Sequence, residues 1–235
     1  MTEEKPVGID LGTTRTAVAE ILAEEAEIVE NADGNPVTPS VVRIEEDGGV
    51  VVGEQADTDS AVYSDRTVRE IKREMGNDIS ISIDEEEYAP EQISAMIIEK
   101  VVADAEERMG TDVSEAVITV PAYFGEAERS ATKAAGEVAG LDVKRLLPEP
   151  SAACLSYALK KEKLEADGEE KIFVYDLGGG TFDASLVEAD YDVNYYETQN
   201  TDGINDLGGE NWTEKIVEWM LDISEEEAGQ EFSDD

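Results

Sequence analysis

An α/β fold class is predicted by three features of this 235-residue chain. Short strand-like runs alternate with helix-like ones, the order expected when helices cover a parallel or mixed sheet. A unit of strand, Asp-Leu-Gly turn and strand occurs twice. Hydrophobic residues make up 40% and fall in periodic segments, which at this length supplies the core of one large domain or two small ones.

Taken in order, residues 7–10, 16–22 and 27–30 read as strands joined by Gly, Thr and Asp turns, an opening three-stranded meander. A turn-rich stretch covers 31–39. Residues 41–44 and 50–52 make a hairpin around Asp47-Gly48-Gly49. Residues 65–75 read as a helix with Val68, Ile71 and Met75 on one face and Gly76 as its stop. Ile79, Ile81 and Ile83 alternate with polar residues as a half-buried strand. Pro90 opens the strongest helix: Ile93, Met96, Ile97, Val101, Ala105 and Met109 recur at helical spacing, and Gly110 lies beyond the end. Residues 116–120 are an apolar run ending at Pro121, a buried strand followed by a break. The helix at 126–139 turns the small residues Ala127, Ala131, Ala134 and Ala135 inward, which predicts close packing. A strand at 143–147 and a helix at 151–163 precede a charged, Gly-containing linker at 164–170, where the domain boundary is placed.

Charge is the outlying property. The chain has 58 Asp+Glu against 18 Lys+Arg, a net charge of −40, no His and a pI near 4.1. Such a surface repels nucleic acid and anionic membrane, so neither is expected as a partner. No apolar run approaches the roughly eighteen residues of a membrane span or a secretory signal, and a cytoplasmic location is expected. Folding under this self-repulsion favours a high-salt cytoplasm, where cations screen the charge. A single Cys154 excludes internal disulfides and Cys-cluster metal sites, so any metal should be hard and oxygen-bound. Cys154 lies among Ala152, Ala153, Leu155 and Tyr157 and reads as a small buried hydrophobe without a role.

The repeat carries the chemistry. Val7-Gly8-Ile9-Asp10-Leu11-Gly12-Thr13-Thr14, followed by the strand at 16–21, recurs as Phe173-Val174-Tyr175-Asp176-Leu177-Gly178-Gly179-Gly180, followed by 181–188. Each copy puts a carboxylate at a strand end and follows it with a tight turn whose N–H groups can converge on an anion. One copy alone is a favourable hairpin turn. Two facing copies form a phosphate clamp: glycines admit phosphate oxygens without Cβ interference, Thr hydroxyls donate, and each Asp can hold magnesium through water.

These residues resemble the seventy-kilodalton heat-shock chaperones of the DnaK type, in the superfamily that also holds actin and the sugar kinases. The resemblance runs from the Asp10 motif through 115–124, 131–145 and 149–159 to 172–187 and Leu207-Gly208-Gly209-Glu210. A sugar kinase or filament protein fits less well, because Val120-Pro121-Ala122-Tyr123-Phe124 and 149–159 are chaperone-like. The resemblance implies a ribonuclease H-like, duplicated βββαβα, actin-like ATPase fold, with its first lobe complete and its second partial. On it, residues 1–168 form lobe I with an inserted subdomain at about 38–111, residues 169–221 start lobe II, and 222–235 are an acidic disordered tail. ATP or ADP with Mg2+, and K+ as a further candidate, would bind between the lobes, and hydrolysis would drive lobe rotation in protein folding.

Site residues follow from the same resemblance. Asp10, Asp176 and Glu149 would hold magnesium, largely through water. Gly12, Thr13, Thr14, Gly178, Gly179, Gly180, Thr181 and Gly209 would cradle the nucleotide. Lys72, Glu149, Asp176 and Thr181 would be catalytic, with Asp183 beside them and Pro121 and Arg129 as a relay. On local pattern alone Lys72 reads as a solvated helix lysine and Glu149 as a first-turn acid favoured by the helix dipole. The resemblance further implies a J-domain co-chaperone and a nucleotide-exchange factor as partners.

Departures from the family pattern are Pro148 in place of an asparagine, Asn211 in place of an acid, and a short 77–89 segment. The chain also reads as ending after one helix of the second lobe. In that helix Trp212, Ile216, Trp219 and Met220 share a face, so an exposed apolar patch is expected, covered by a missing C-terminal part or by self-association through 212–220. Two functions stay open at this stage: a slow Mg-dependent ATPase domain of a chaperone, or a non-hydrolysing interaction module of the same fold.

Overall fold

The computed structural model describes residues 5–23, 25–162, 168–193, 195–204 and 207–228. Strands β1 (Pro6–Leu11), β2 (Arg15–Leu22) and β3 (Glu25–Val29) form the opening antiparallel meander. Side chains alternate between faces along a strand, so Val7, Ile9 and Leu11 enter the core while Asp10 stays at the surface. β4 (Thr38–Pro39) returns to pair with the start of β2, and β5 (Val42–Ile44) with β6 (Val50–Val52) makes the expected hairpin. A short helix, α1 (Glu54–Thr58), follows.

The helix expected at 65–75 does not form. Ser64–Arg66 is one 3-10 turn, β7 (Thr67–Val68) pairs with β5, and Ile71–Glu74 is a second 3-10 turn. Glu70 separates them with φ 54, left-handed backbone that a helix cannot contain. The apolar spacing still reported burial: Ile71 and Met75 are in the core and Val68 packs against it. β8 (Ile81–Ile83) pairs with β9 (Glu86–Tyr88), leaving Ile79 exposed outside the hairpin.

Helix α2 (Pro90–Met109) has the expected ends, with proline in its first turn and Gly110 at φ 68 closing it. Ile93, Ile97, Val101 and Ala105 are buried. β10 (Glu115–Val120) lies parallel to β1 on one side and to β11 (Asp142–Pro148) on the other, giving the mixed order β11-β10-β1-β2-β3. Between them α3 (Glu126–Val138) covers one face. Its inward residues are Thr132, Ala135 and Gly136. Of the alanines expected inward, Ala131 and Ala134 are half-buried and Ala127 is exposed. The close packing is real: a Cβ at Gly136 would lie 2.5 Å from Val143 Cγ2 and 2.8 Å from Ile118 Cδ1.

Helix α4 (Glu149–Glu162) touches β10 and β11 of this sheet and all three strands of a second one, so it sits between them. The second sheet is the antiparallel meander β12 (Glu169–Leu177), β13 (Phe182–Asp190) and β14 (Tyr195–Ile204). Of the linker expected at 164–170, residues 164–167 lie outside the described residues, and Glu169 and Glu170 already belong to β12. Cys154 is buried at 1% exposure, as its neighbours implied. The final helix, α5 (Gly209–Ala228), runs past residue 221, so the first half of the expected disordered tail is helical, and 229–235 lie outside the described residues. Trp212, Ile216, Trp219 and Met220 are all exposed, forming the apolar patch the sequence predicts.

Candidate functional site

The two Asp-Leu-Gly turns end their hairpins in the same way. Asp10 and Leu11 pair with Ala17 and Thr16, while Asp176 and Leu177 pair with Asp183 and Phe182. Gly12 N–H donates to Asp10 O at 3.1 Å, and Gly178 N–H to Thr181 O at 2.9 Å. A Cβ at Gly12 would meet Arg15 O at 2.1 Å, so only glycine closes the first turn. The turns then face each other. A Cβ at Gly179 would lie 2.3 Å from Thr14 Oγ1, and one at Gly180 would lie 2.6 Å from Thr13 Cγ2. The absence of side chains lets one turn approach the threonines of the other, the close approach for which glycine is suited.

The residues that open α5 close the second turn from below. Gly209 N–H donates to Gly178 O and Glu210 N–H to Gly179 O, both at 2.9 Å. Asn211 Oδ1 accepts from Gly208 N–H at 2.8 Å. The asparagine that departs from the family pattern therefore still supplies a side-chain acceptor at this helix start, where backbone donors lack partners.

Lys72 Nζ lies 2.7 Å from Glu149 Oε1, with side chains 9% and 16% exposed. The 3-10 turn Ile71–Glu74 presents the lysine. Glu149 is the first residue of α4, and the preceding Pro148 ends β11 in register with Val120. Pro148 thus fixes the strand-to-helix junction that aims Glu149. Lys72 is accordingly a buried, paired lysine in a 3-10 turn, not a solvated α-helix lysine. Asp10 Oδ1 accepts from Thr119 Oγ1 at 2.6 Å.

The acids share one electrostatic field. Burial pushes Glu149 up; Lys72 opposes this, and the charges of Asp10 and Asp176 add to it. Asp176 is raised by burial and by Asp10. Asp183 is raised to about 6 by burial, Glu149 and Asp176. Burial, Asp183 and Glu149 also raise the Tyr123 hydroxyl. Three carboxylates, Glu149, Asp176 and Asp183, therefore share the field of Lys72, and the charge of Asp10 acts on the first two. Asp183 Oδ1 is buried with no hydrogen-bond partner among the described residues. An orphaned acceptor amid excess negative charge is what a hydrated cation would satisfy. Among the described residues no group of three or more acids is arranged to hold a metal ion directly.

Phe124 N–H donates to Pro121 O at 3.2 Å and Arg129 Nε to Phe124 O at 2.8 Å, which joins Pro121 and Arg129, the pair expected as a relay, through one turn. Thr181 is half-buried beside the second turn. Two residues escaped the sequence reading. Thr119 touches Asp10, and Arg73 reaches Gly180 O at 2.7 Å. A strand threonine and a second cation after Lys72 have no distinguishing pattern in the sequence.

Residues 6–83 and 77–235 match the family model described as Hsp70 protein. The chain belongs to the Hsp70 family. The two matched stretches meet within 77–89, where the sequence reading finds the chain short. As an Hsp70-type chain it has the actin-like ATPase fold, with the mixed sheet described above, and is a chaperone-type ATP-binding domain. No helix among the described residues is long and apolar enough to cross a membrane.

Proposed function

We propose that this chain binds Mg-ATP between the two Asp-Leu-Gly turns and hydrolyses it slowly, driving lobe rotation for protein folding. The observation that carries the reading is the buried Lys72–Glu149 pair set among Asp10, Asp176 and Asp183 at the meeting point of two glycine turns. Thr13, Thr14, Gly179, Gly180 and Thr181 offer the donors that would cradle phosphate oxygens, and Gly12, Gly178 and Gly209 shape the turns around them. Lys72 would meet the transferred phosphoryl group, which its lateral pairing with Glu149 keeps in reach. Glu149 and Asp183, both raised in pKa, would orient a water molecule and accept its proton. Asp10, Asp176 and Glu149 would hold magnesium through water; when bound, it supplies charge neutralisation across the phosphates. The same acid field suits K+ as a second ion.

Pro121 and Arg129, joined through Phe124, would relay the nucleotide state, and a J-domain co-chaperone and an exchange factor would act on the cycle. The net charge of −40 supports a salt-rich cytoplasm as the setting. A second reading, a non-hydrolysing interaction module, is favoured by the exposed stripe of α5.

Calorimetric titration with Mg-ATP and Mg-ADP in molar KCl, beside a phosphate-release assay, tests the proposal. Submillimolar, magnesium-dependent binding is expected. Lys72→Ala should slow phosphate release at least tenfold, since a charge-assisted contact is worth about 1.5–3 kcal/mol. Binding without phosphate release would support the second reading, and no binding to folded protein would overturn the first.

A further inference from the structure

We infer that Arg73 is a cross-lobe positioning residue that sets the spacing between the two halves of the phosphate clamp. The inference rests on the nucleotide-binding reading above but is argued from separate contacts. Arg73 Nη2 donates to Gly180 O at 2.7 Å, while Nη1 pairs with Glu70 Oε2 at 2.8 Å. One guanidinium thereby ties the turn that carries Lys72 to a glycine turn far away in sequence. Its planar fork serves two directions at once, which an ammonium on a flexible stem does poorly. Both side chains are mostly covered, at 23% and 29% exposure, so water competes little for these contacts.

The second turn is cut to receive the group. A Cβ at Gly180 would lie 3.0 Å from Arg73 Nη2 and 3.1 Å from its Nε. The guanidinium therefore lies against a backbone that has no side chain to hold it off. Glu70 takes left-handed backbone at φ 54, a conformation disfavoured for L residues and retained where surroundings over-determine it. Its pairing with Arg73 across the 3-10 turn is one such determinant. Consecutive residues then hold different partners: Lys72 holds Glu149 at the start of α4, and Arg73 holds the Gly178–Thr181 turn. A ligand touching both Lys72 and that turn meets them at a distance Arg73 fixes.

Backbone hydrogen exchange and Mg-ADP calorimetry on the full chain test this together. In Arg73→Ala, amides of 178–183 should exchange at least tenfold faster, with those of β1 and α2 unchanged, and Mg-ADP affinity should fall about tenfold. Arg73→Lys should recover only part of both effects. Glu70→Gln should move them the same way by less, and its place outside the cradle keeps the test informative if Arg73→Ala fails to fold. Unchanged exchange at 178–183 would overturn the inference. So would faster exchange with unaltered Mg-ADP affinity, which leaves Arg73 a local contact only. If the unmodified chain binds no Mg-ADP, the nucleotide reading fails, while the exchange arm still decides whether Arg73 holds the turn.

Discussion

At Asp183 the interior holds a carboxylate that costs the fold stability. The residue is 4% exposed, and Oδ1 has no hydrogen-bond partner among the described residues. Its pKa rises from 3.8 to about 6, chiefly through burial and then through Glu149 and Asp176. Between these two values the folded state holds a proton that the unfolded state has released. Stability from this group is therefore present below about pH 4 and lost as pH rises through about 6. Asp183→Asn removes the charge at constant shape. It should stabilise the protein by about 2 kcal/mol at pH 8, raising Tm by roughly 4–8 °C for a chain of this size, with the gain shrinking below pH 6. Thermal unfolding of both proteins at pH 8 and pH 5 checks this, and an equal gain at both pH values would refute it. The same substitution should weaken nucleotide binding, because function, not stability, explains an unpaired buried acid.

Among the elements, α3 shows packing prevailing over propensity. Alanine exceeds glycine in a helix interior by about 0.8–1 kcal/mol, so Gly136→Ala looks stabilising on paper. The new methyl would sit 2.5 Å from Val143 Cγ2 and 2.8 Å from Ile118 Cδ1, in the seam between α3 and the β10–β11 pair. Overpacking a seam costs typically 1–3 kcal/mol, so a net loss of about 1 kcal/mol is expected in urea unfolding; a more stable variant would mean the seam can open. This seam was only partly legible: small residues signalled close packing, but the face was misplaced from Ala127 toward Thr132 and Gly136. α2 was legible in full because local signals agree, with a 3.6-residue period, proline at the start and glycine at the end. The 65–75 segment was not, since pairing of β7 with β5 and the left-handed Glu70 are tertiary outcomes that apolar spacing does not encode. α1 buries only Ala56 and left no periodic trace. In the site, both glycine turns were legible from their own residues. Lys72 was not, because its partner Glu149 lies 77 residues away and only the resemblance connected them.

For the whole molecule, acidity and the exposed stripe of α5 act on different quantities. Fifty-eight acids on one chain repel each other through solvent, and the compact state concentrates that repulsion. Screening shortens its reach from about 10 Å at 0.1 M salt to about 3 Å at 1 M. Moving from 0.1 M to about 2 M KCl should therefore raise the urea midpoint steadily. Trp212, Ile216, Trp219 and Met220 lie on one exposed side of α5, and the acids Glu210, Glu214, Glu218 and Asp222 recur every fourth residue along the same helix. At low salt that acidic row keeps two copies of the stripe apart; at high salt only its apolar character remains. Light scattering at micromolar concentration should show self-association appearing with KCl, and Trp219→Asp should abolish it while leaving the unfolding free energy in urea within about 0.5 kcal/mol of the parent, as befits a surface site. A chain that stays monomeric in molar KCl would mean the stripe is too small to hold two copies together. A midpoint indifferent to salt would mean the acids are already spaced widely enough to be neutral to folding.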